Sequence, residues 1–369
     1  MGLGVYSDHQ LKRFIEEGII FSQGEPIDTG KEGEAKGQLD SSSLNLRLGE
    51  EMHAMRYSSI PEGSIADHIR NASQYSFSID SKAGGFLHKG VIYLAELQEN
   101  LNLQHYLEGK ANPKSSIGRV DAHVRVLTEG GTKFDVINPG YKGKLFLEIY
   151  PQSFDLRVFP GQELAQLRIK DRQVGFLSDE QLRTLDDITH PGLLTDGGER
   201  AKGHYIENDS LALRLSLKGK NPIAISRQDA PPVDLSADGT LPFSEYFDRI
   251  TPKNKSLEFA LQNGNFYLLH TEKPTKIPLD HCGELVDIKT ESGEYRVHYA
   301  GFFQPGFWDT AVLEFRNSGP NFLVRDGQKI ANLWVFPLSQ LAKHAYEGIY
   351  KGQSKFQGVK GAKFFDMTK

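Results

Sequence analysis

Two groups of residues in the first half of this sequence could do chemistry together. The first is the segment from Asn112 to Arg119, which places two hydroxyl groups beside a lysine and an arginine, in a turn bounded by proline and glycine. Backbone N–H groups, short hydroxyl side chains and fixed cations are the donors that converge on the oxygens of a polyphosphate. The segment therefore predicts either a phosphate-binding turn or a polar loop that begins a strand.

The second group is a single carboxylate, Glu148, inside the apolar run from Leu145 to Tyr150. A carboxylate is costly to bury unless it is paired or hydrogen-bonded, so a buried one here is a candidate general base. The alternative is a solvent-facing place in an alternating strand. Glu314 recurs at the matching position in the second half, which leaves a structural role shared by both halves open. His123 alternates with apolar neighbours, which is typical of a strand histidine rather than a metal ligand.

The sequence contains an internal repeat, and this repeat indicates which secondary-structure elements position these residues. Four short motifs of the first half return in the same order and at the same spacing in the second half, at residues 137–141 and 303–307, 147–149 and 313–315, 160–162 and 326–328, and 165–167 and 331–333. Two copies of one β-unit imply a tandem fold. The simplest division is a domain at residues 1–195 and a second at 196–369, with the polar, glycine-containing stretch 195–200 as linker.

The local patterns predict mostly strands, with a few short helices. Ser7 or Asp8 can cap a helix that Gly18 ends, and Ser178 can cap another over residues 178–188. Period-two alternation predicts strands at residues 44–48, 92–95 and 120–126. We also expect an exposed loop at 230–239, a helix at 339–346 and a mobile tail at 350–369. Frequent glycine and proline favour a barrel or jelly roll over a parallel sheet with helices.

The amino-acid composition limits the kinds of ligand and partner that the protein is expected to bind. A formal net charge of −5 gives no general case for binding nucleic acid or a membrane, so phosphate recognition must be local. One cysteine, Cys282, excludes an intrachain disulfide framework and a cysteine-rich zinc site, and we expect a buried thiol. The sequence has no apolar signal core and no apolar run long enough to span a bilayer, so a soluble, cytoplasmic protein is the expectation.

Taken together, these motifs resemble the dCTP deaminase branch of the dUTPase-like superfamily, in a two-lobed form of double length. The segments that carry the resemblance span almost the whole chain in the right order, at residues 43–49, 114–119, 137–143, 147–148, 160–162 and 354–361. The resemblance implies two tandem dUTPase-like domains, each a distorted β-barrel or jelly roll, of which the first is catalytic and the second degenerate. It also implies hydrolytic deamination of dCTP to dUTP and ammonia, in a homotrimer with its sites at subunit interfaces.

The resemblance assigns roles to particular residues. Glu148 matches the general base, Ser115 the hydroxyl that helps to position the water, and Arg119 a supporting arginine of the same cluster. The residues that match substrate contacts are Lys114, Ser116, Asn138, Tyr141, Gln166, Lys355 and Gln357. The expected metal is Mg²⁺ carried by the nucleotide triphosphate, with no metal ligand from the protein and no zinc. One cysteine cannot build the His/Cys/Cys site with which zinc deaminases activate water.

Departures from the family pattern bear on the alternatives. The family has arginine where Lys114 stands, and aspartate where Asn138 stands. In dUTPases that aspartate activates water against the α-phosphate, so its absence argues against a dUTP diphosphatase and against a bifunctional deaminase-diphosphatase. In the second lobe, the stretch that aligns with the serine pair lies near residues 287–291 and is acidic. A non-catalytic deoxynucleotide-binding protein is a further alternative.

Overall fold

The computed structural model describes residues 2–30, 37–193, 195–196, 199–200, 205–253, 255–286, 296–297, 300–348, 350 and 359–369. Up to Asp171 its elements are α1 (Asp8–Glu16), β1 (Ile20–Ser22), β2 (Leu44–Met55), α2 (Ile65–Ala72), β3 (Ser73–Ser78), β4 (Gly85–Leu87), β5 (Ile92–Asn102), β6 (Leu107–Pro113), α3 (Ser115–Gly118), β7 (Ala122–Thr128), β8 (Val136–Ile137), β9 (Lys142–Pro151), β10 (Leu156–Val158) and β11 (Glu163–Asp171).

From Asp179 onward they are α4 (Asp179–Thr184), a π-helical turn (Leu185–Thr189), β12 (Thr195–Asp196), β13 (Glu199–Arg200), β14 (Leu211–Ser216), β15 (Ile223–Ser226), β16 (Val233–Asp234), β17 (Leu241–Pro242), α5 (Phe243–Tyr246), β18 (Phe247–Ile250), β19 (Glu258–Leu261), β20 (Phe266–Thr271), β21 (Thr275–Lys276), β22 (His281–Val286), β23 (Arg296–Val297), β24 (Phe302–Phe303), β25 (Trp308–Asp309), β26 (Val312–Arg316), β27 (Phe322–Arg325), β28 (Lys329–Pro337) and β29 (Phe365–Asp366). The mainly β composition with short helices confirms the expected class.

The chain forms two compact units. Unit 1 consists of Met1–Val174, Pro232–Ala237 and Leu338–His344, and unit 2 of Gly175–Pro231, Asp238–Pro337 and Ala345–Lys369. These units are defined by spatial contacts and each combines separate segments of the chain, so they do not test a boundary between two domains consecutive in sequence. The domain boundary between residues 195 and 196 stays a prediction. No helix within the described ranges is both long and apolar enough to cross a membrane.

The sheets of the two units have the same strand order. In unit 1 the order is β7-β9-β5-β2-β11-β6-β8, and in unit 2 the corresponding strands run β26-β20-β14-β28-β22-β24, with β23 against β26. Leu46 lies opposite Ala165 in unit 1, Leu213 lies opposite Ala331 in unit 2, and the register shifts next to both pairs. The repeat in the sequence is therefore a repeat of topology and of a β-bulge.

Alternation along the strands builds the core of each unit. In unit 1 the buried apolar side chains of β2, β5, β9 and β11 face inward, among them Leu46, Tyr93, Leu147 and Leu167. In unit 2 a cluster that includes Leu213, Leu269, Leu313 and Leu333 plays the same part. Cys282 is buried, as expected.

The predicted first helix is confirmed in position and in capping. The side chain of Gln10 accepts the backbone N–H of Ser7 at 3.1 Å, which closes a capping box at the start of α1. Gly18 follows the helix with φ of +68°, a conformation that costs glycine little. Ser178 caps α4 in the same way through Gln181, as predicted.

Three expectations about local structure are wrong. Residues 339–346 form no helix, because Asp8 takes the backbone N–H groups of Lys343 and His344. Residues 230–239 are not simply an exposed loop, because β16 pairs with β10 in parallel and buries Val233. The part of the C-terminal segment from residue 359 is packed rather than mobile, since β29 pairs with β17 and Phe364 is buried.

Candidate functional site

The carboxylate predicted to act as a base is buried. Glu148 lies in β9, opposite Leu94 of β5 and Arg125 of β7, and only 5% of its surface is exposed. The solvent-facing alternative is therefore wrong for this side chain. Because β9 has strands on both sides, the sheet fixes the position of Glu148 from two directions.

One oxygen of Glu148 holds all the hydrogen bonds that the structure gives this carboxylate. Arg125 donates to Oε1 from Nε at 3.1 Å and also from Nη2, and the Ser58 hydroxyl donates to the same oxygen at 3.1 Å. Within the described residues, Oε2 accepts no hydrogen bond. The carboxylate is thus anchored at one oxygen and has the other available for a water molecule or a substrate.

Arg125 is itself held in place. Its guanidinium lies over the ring of Phe134, 3.7 Å from the ring centroid, and its Nη2 donates to Ser58 at 2.5 Å. A cation–π contact and a bonded hydroxyl restrict a side chain that would otherwise be mobile. Sequence reasoning missed Arg125, Ser58 and Phe134. The alternation of β7 predicts that Arg125 shares a face with His123, but neither pattern nor spacing predicts its pairing with Glu148.

An apolar cover lies on this side of the sheet. Met55, Ile65, Leu94, Leu127 and Phe146 belong to one buried cluster, to which α2 contributes. On the same helix, burial lowers the pKa of His68, and the negative charge of Glu148 partly offsets that effect. The site of Glu148 therefore excludes much of the solvent on the side that α2 covers.

The segment from Lys114 to Arg119 forms a turn rather than an open loop. Lys114 is the N-terminal cap residue of α3, and its backbone N–H donates to Leu164 of β11 at 3.0 Å. Ser116 and Arg119 are buried, whereas Ser115 is partly exposed. Within the described part of the chain the hydroxyl of Ser115 has no hydrogen-bond partner, so it can serve another molecule.

The ammonium of Lys114 is engaged in the structure. Its Nζ lies 2.5 Å from Oε2 of Glu163, and both side chains are partly exposed. An exposed pair of this kind contributes little to stability and is easily exchanged. Lys114 can therefore turn from Glu163 to a more strongly charged anion such as a triphosphate.

Gln166 lies directly behind this turn. Its Nε2 donates to the carbonyl of Pro113 at 3.4 Å, and its Oε1 accepts from the hydroxyl of Ser43 at 3.2 Å. Opposite it in β6 is Asn112, whose side chain accepts a bond of 2.6 Å from Arg168. Gln166 is buried, and its side chain connects Pro113, just before the serine turn, to Ser43, just before β2.

Asn138 and Tyr141 lie at the two ends of one tight turn. The N–H of Tyr141 donates to the carbonyl of Asn138 at 3.1 Å, and Gly140 has φ of +74°. The Tyr141 hydroxyl donates to the carbonyl of Lys144 at 2.5 Å and accepts from the N–H of Glu129 at 3.3 Å. Burial raises the pKa of Tyr141. The ring is therefore fixed, while Asn138 is exposed and available for contact.

The serine turn and the asparagine turn lie at opposite ends of β6. Lys114 follows the last residue of β6, whereas the N–H of Gly140 donates to Leu107, the first residue of that strand. At about 3.3 Å per residue, seven residues of strand separate these points by roughly 23 Å. The sugar and the phosphates of a nucleotide are adjacent groups. The backbones of the two turns are therefore farther apart than the adjacent sugar and phosphates of one nucleotide, and long side chains would be needed to bridge the difference.

The remaining predicted positions fall into two groups. Lys355 and Gln357 lie outside the described residues, as does the acidic stretch 287–291 of the second half. Glu314 lies in β26 opposite Leu268 and is buried, in the same register as Glu148 opposite Leu94. The catalytic and binding roles named from the sequence stay predictions.

Comparisons with known proteins cover the chain from end to end. A family model described as the 2'-deoxycytidine 5'-triphosphate deaminase (DCD) N-terminal domain matches residues 2–173, and the corresponding C-terminal domain model matches residues 183–365. The chain belongs to the dCTP deaminase family. The family resemblance and the two-domain form expected from the sequence are confirmed.

Individual relatives agree with the family. Over 167 residues the chain is 29% identical to a "dCTP deaminase, dUMP-forming" of Methanothermobacter thermautotrophicus, a match that covers 45% of this chain and 78% of the relative. Over 150 residues it is 27% identical to a "dCTP deaminase" of Actinobacillus succinogenes, covering 39% of this chain and 70% of the relative.

A solved structure matches almost the whole chain. The crystal structure of 2'-deoxycytidine 5'-triphosphate deaminase from Agrobacterium tumefaciens superimposes with a TM-score of 0.79 at 26% identity, covering 92% of this chain and 100% of that chain. The predicted fold class, two tandem β domains of the dCTP deaminase type, is therefore confirmed.

Proposed function

We propose that this protein deaminates dCTP hydrolytically to dUTP and ammonia. The two family models that together span most of the chain support this activity. The observation that carries it is the state of Glu148, a buried carboxylate with one oxygen anchored by Arg125 and Ser58 and the other open. Such a carboxylate can act as a base in a site with restricted water.

The chemistry follows from that arrangement. Oε2 of Glu148 takes a proton from a water molecule as the water oxygen bonds to C4 of cytosine, and Glu148 delivers this proton to N3 of the ring. Glu148 then takes the proton of the new C4 hydroxyl and passes it to the amino group, the C4–N4 bond breaks, and ammonia leaves as the C4 carbonyl forms. Ser115 orients the water, and Arg119 supports the serine turn. Arg125 keeps Oε1 occupied, so that the proton is exchanged at Oε2.

The triphosphate and the sugar of the nucleotide are bound by cationic, hydroxyl, amide and aromatic side chains. Lys114 and Ser116 bind phosphate, Asn138 accepts or donates a hydrogen bond at the 3'-hydroxyl, and the fixed ring of Tyr141 packs against the deoxyribose. Mg²⁺ arrives with the triphosphate and is held mainly by phosphate oxygens and water. Gln166 acts from behind the serine turn. Because dCTP is an intracellular metabolite, the proposed location is the cytoplasm.

The proposed site is assembled from more than one chain. The separation of roughly 20 Å along β6 between Lys114 and Asn138 of one chain favours a site in which these two residues come from different chains. A homotrimer with sites at its subunit interfaces brings the serine turn of one chain to the Glu148 and Asn138 of its neighbour. The segment that contains Lys355 and Gln357 would then close over the phosphates.

Mixing two inactive variants tests this assembly. Ser115→Ala and Glu148→Gln chains are each expected to be inactive as homotrimers. After denaturation and refolding together, mixed trimers contain sites with both native residues, and dCTP deamination should recover. If the mixture stays as inactive as its parents while size-exclusion chromatography shows mixed oligomers, both residues act within one chain and the proposal of a shared site fails.

Product analysis tests the activity itself and separates the alternatives. Incubation with dCTP should release one ammonia per dUTP, without pyrophosphate. Because some relatives are called dUMP-forming, a bifunctional reaction is the second candidate, and equal amounts of dUMP and pyrophosphate would identify it. Asn138 lacks the carboxylate that such hydrolysis would use. Tight binding of dCTP with no ammonia over hours would instead identify a non-catalytic nucleotide-binding protein.

A further inference from the structure

A cluster of metal-binding side chains lies in unit 2, among residues that the deaminase site does not use. His190, Asp280 and His281 each offer one ligand atom, and these atoms lie within 4.8 Å of one another. Nδ1 of His281 is 2.7 Å from Oδ1 of Asp280, and Nε2 of His190 is 3.2 Å from the same oxygen. Two imidazole nitrogens therefore converge on one carboxylate.

The spacing of these atoms suits a bound cation. Ligands at about 2.1 Å from a common ion are about 3.0 to 3.4 Å from one another in octahedral or tetrahedral geometry. The two His–Asp distances lie close to that range, so small side-chain rotations suffice to admit an ion. His281 is mostly buried, with 12% of its side chain exposed, whereas His190 and Asp280 reach solvent at 34% and 42%. The cluster is therefore buried at His281 and accessible to solvent at His190 and Asp280.

The backbone that carries His190 has an unusual form. His190 ends the π-helical turn Leu185–Thr189 that continues α4, and its N–H donates to the carbonyl of Leu185 at 2.7 Å. Single π-turns often occur at functional sites. Buried Asp186 locks this turn, because it accepts the N–H of Leu193 at 2.8 Å and the hydroxyl of Tyr205 at 2.6 Å.

The backbone that carries the other two ligands is equally constrained. His281 begins β22 and lies opposite Pro337 of β28, and its N–H closes a turn by donating to Pro278 at 3.2 Å. Asp280 is the residue before it. Leu182, Leu185 and Ile277, which flank the two ligand-bearing segments, belong to the buried core of unit 2. The ligands therefore stand on packed elements, which is what a preorganised site needs.

We propose that His190, Asp280 and His281 bind one first-row transition-metal dication per chain, with Zn²⁺ as the preferred ion. Imidazole nitrogen with one carboxylate suits Zn²⁺, Co²⁺ or Ni²⁺, whereas Mg²⁺ and Ca²⁺ prefer oxygen ligands. Three protein ligands leave at least one position for water. The ion ties the π-helical turn to the start of β22 and so stabilises unit 2. This site goes beyond the proposed deamination and does not depend on it.

Titration of tag-free, full-length protein, first stripped with EDTA and dialysed, tests the site. Zn²⁺ should bind at one equivalent per chain in calorimetry and should raise the melting temperature. Co²⁺ should give visible d–d absorption that Zn²⁺ then displaces, while Mg²⁺ and Ca²⁺ should have neither effect. Absence of Co²⁺ absorption and of any Zn²⁺-dependent shift in melting temperature would overturn the proposal, and the cluster would then be a His–Asp–His hydrogen-bonded group only.

Variants assign the binding to these residues. Because loss of even an outer-shell partner costs about 10- to 100-fold in metal affinity, His190→Ala, Asp280→Asn and His281→Asn should each weaken Co²⁺ binding by at least that much. His88→Ala is the matched control, since His88 pairs with Asp155 in unit 1 at 3.1 Å and no third ligand joins this pair among the residues that the structure describes. A cooperative thermal unfolding transition of each metal-free variant would show that the variants are folded. Equal Co²⁺ binding in the His190 variant and the control would contradict the assignment.

Discussion

Replacing Arg125 should reveal how strongly the protein holds its buried carboxylate. Arg125 supplies two of the three hydrogen bonds to Oε1 of Glu148, and in the pair 22% and 6% of the two side chains are exposed. Breaking a buried ion pair costs about 3–5 kcal/mol, and an exposed pair about 0.2–1 kcal/mol. Since Arg125 is partly exposed, we expect Arg125→Met to lower the free energy of unfolding by about 3 kcal/mol.

A double-mutant cycle isolates the pair from the other contacts of Arg125. The cation–π contact with Phe134 is worth about 0.5–1 kcal/mol and is lost whatever stands at position 148. Arg125→Met should therefore cost only about 1 kcal/mol when Glu148 is already glutamine. The coupling energy between the two positions is then about 2 kcal/mol, measurable by urea unfolding at a fixed protein concentration.

Arg70→Met is the matched control, because Arg70 pairs with Asp67 at 2.6 Å where both side chains are largely exposed. Its cost should be much smaller than that of Arg125→Met, because solvent screens an exposed pair. In the deaminase assay, Arg125→Met should lower kcat for dCTP by at least about 10-fold with little change in KM, because the carboxylate loses its orientation rather than its substrate contacts. Equal costs of Arg125→Met in both backgrounds, with coupling below about 0.5 kcal/mol, would refute the reasoning.

Three other substitutions test the surroundings of the site and the fold of unit 1. Gly140→Ala should cost about 1–2 kcal/mol in unfolding free energy and raise KM for dCTP, because φ is +74° and a Cβ would lie 2.9 Å from Nδ1 of His105. Glu163→Gln should lower KM for dCTP by up to about fivefold, since it releases Lys114 from an exposed pair worth at most about 1 kcal/mol. Asp8→Asn should lower the unfolding free energy near neutral pH by roughly 1–2 kcal/mol. Burial raises the pKa of Asp8, but hydrogen bonds from backbone N–H groups and histidines outweigh it and lower that pKa from 3.8. The stabilisation by ionised Asp8 is therefore fully present above pH 3.8, the ordinary pKa of an aspartate, and is lost as pH falls through the lower pKa of the folded state. In urea titrations the unfolding free energies of the native protein and of Asp8→Asn should converge over that range of pH.

Each of these substitutions has a control. Gly130→Ala carries the same backbone strain at φ of +64° but meets no atom within 4 Å, so it should leave KM unchanged. Glu96→Gln releases Lys144 from an exposed pair far from the serine turn in sequence, and should also leave KM unchanged. For the pH series, the unfolding free energy of Asp179→Asn, at the start of α4 in unit 2, is measured over the same range of pH as a control for the Asp-to-Asn change itself. If Gly140→Ala behaves like Gly130→Ala, or if the Asp8 difference stays constant as pH falls below 3.8, the corresponding argument is wrong.

Much of the fold follows from patterns that act locally or by repetition. The recurrence of Leu147-Glu148 as Leu313-Glu314 predicts two copies of one sheet, and the strand orders of the two units agree. Capping by Ser7 and by Ser178 is visible in the sequence because a cap and its partner lie within one helical turn. The apolar neighbours of Glu148 left both burial and a solvent-facing place open, and the structure decides for burial.

The features that could not be predicted from the sequence depend on contacts between residues far apart in the chain. Ser58 meets Glu148 although 90 residues separate them, and no local signal marks a loop serine as its partner. The helix expected at 339–346 fails for the same reason, since Asp8 claims N–H groups that a helix would need. Val233 is buried by pairing of β16 with a strand far back in the chain. Propensity is a weak guide wherever such tertiary bonds compete with it.

The central claim is that Glu148 is the base that activates water in dCTP deamination, and Glu148→Gln tests it most directly. Glutamine keeps the shape and an acceptor oxygen for Arg125, but cannot take up a proton. We expect the variant to bind dCTP, as an increase in melting temperature will show, and to release ammonia at least about 100-fold more slowly than the native protein. Ammonia release within about threefold of the native rate, from a variant that is folded and binds dCTP, would contradict the account, since general-base catalysis is worth far more than that.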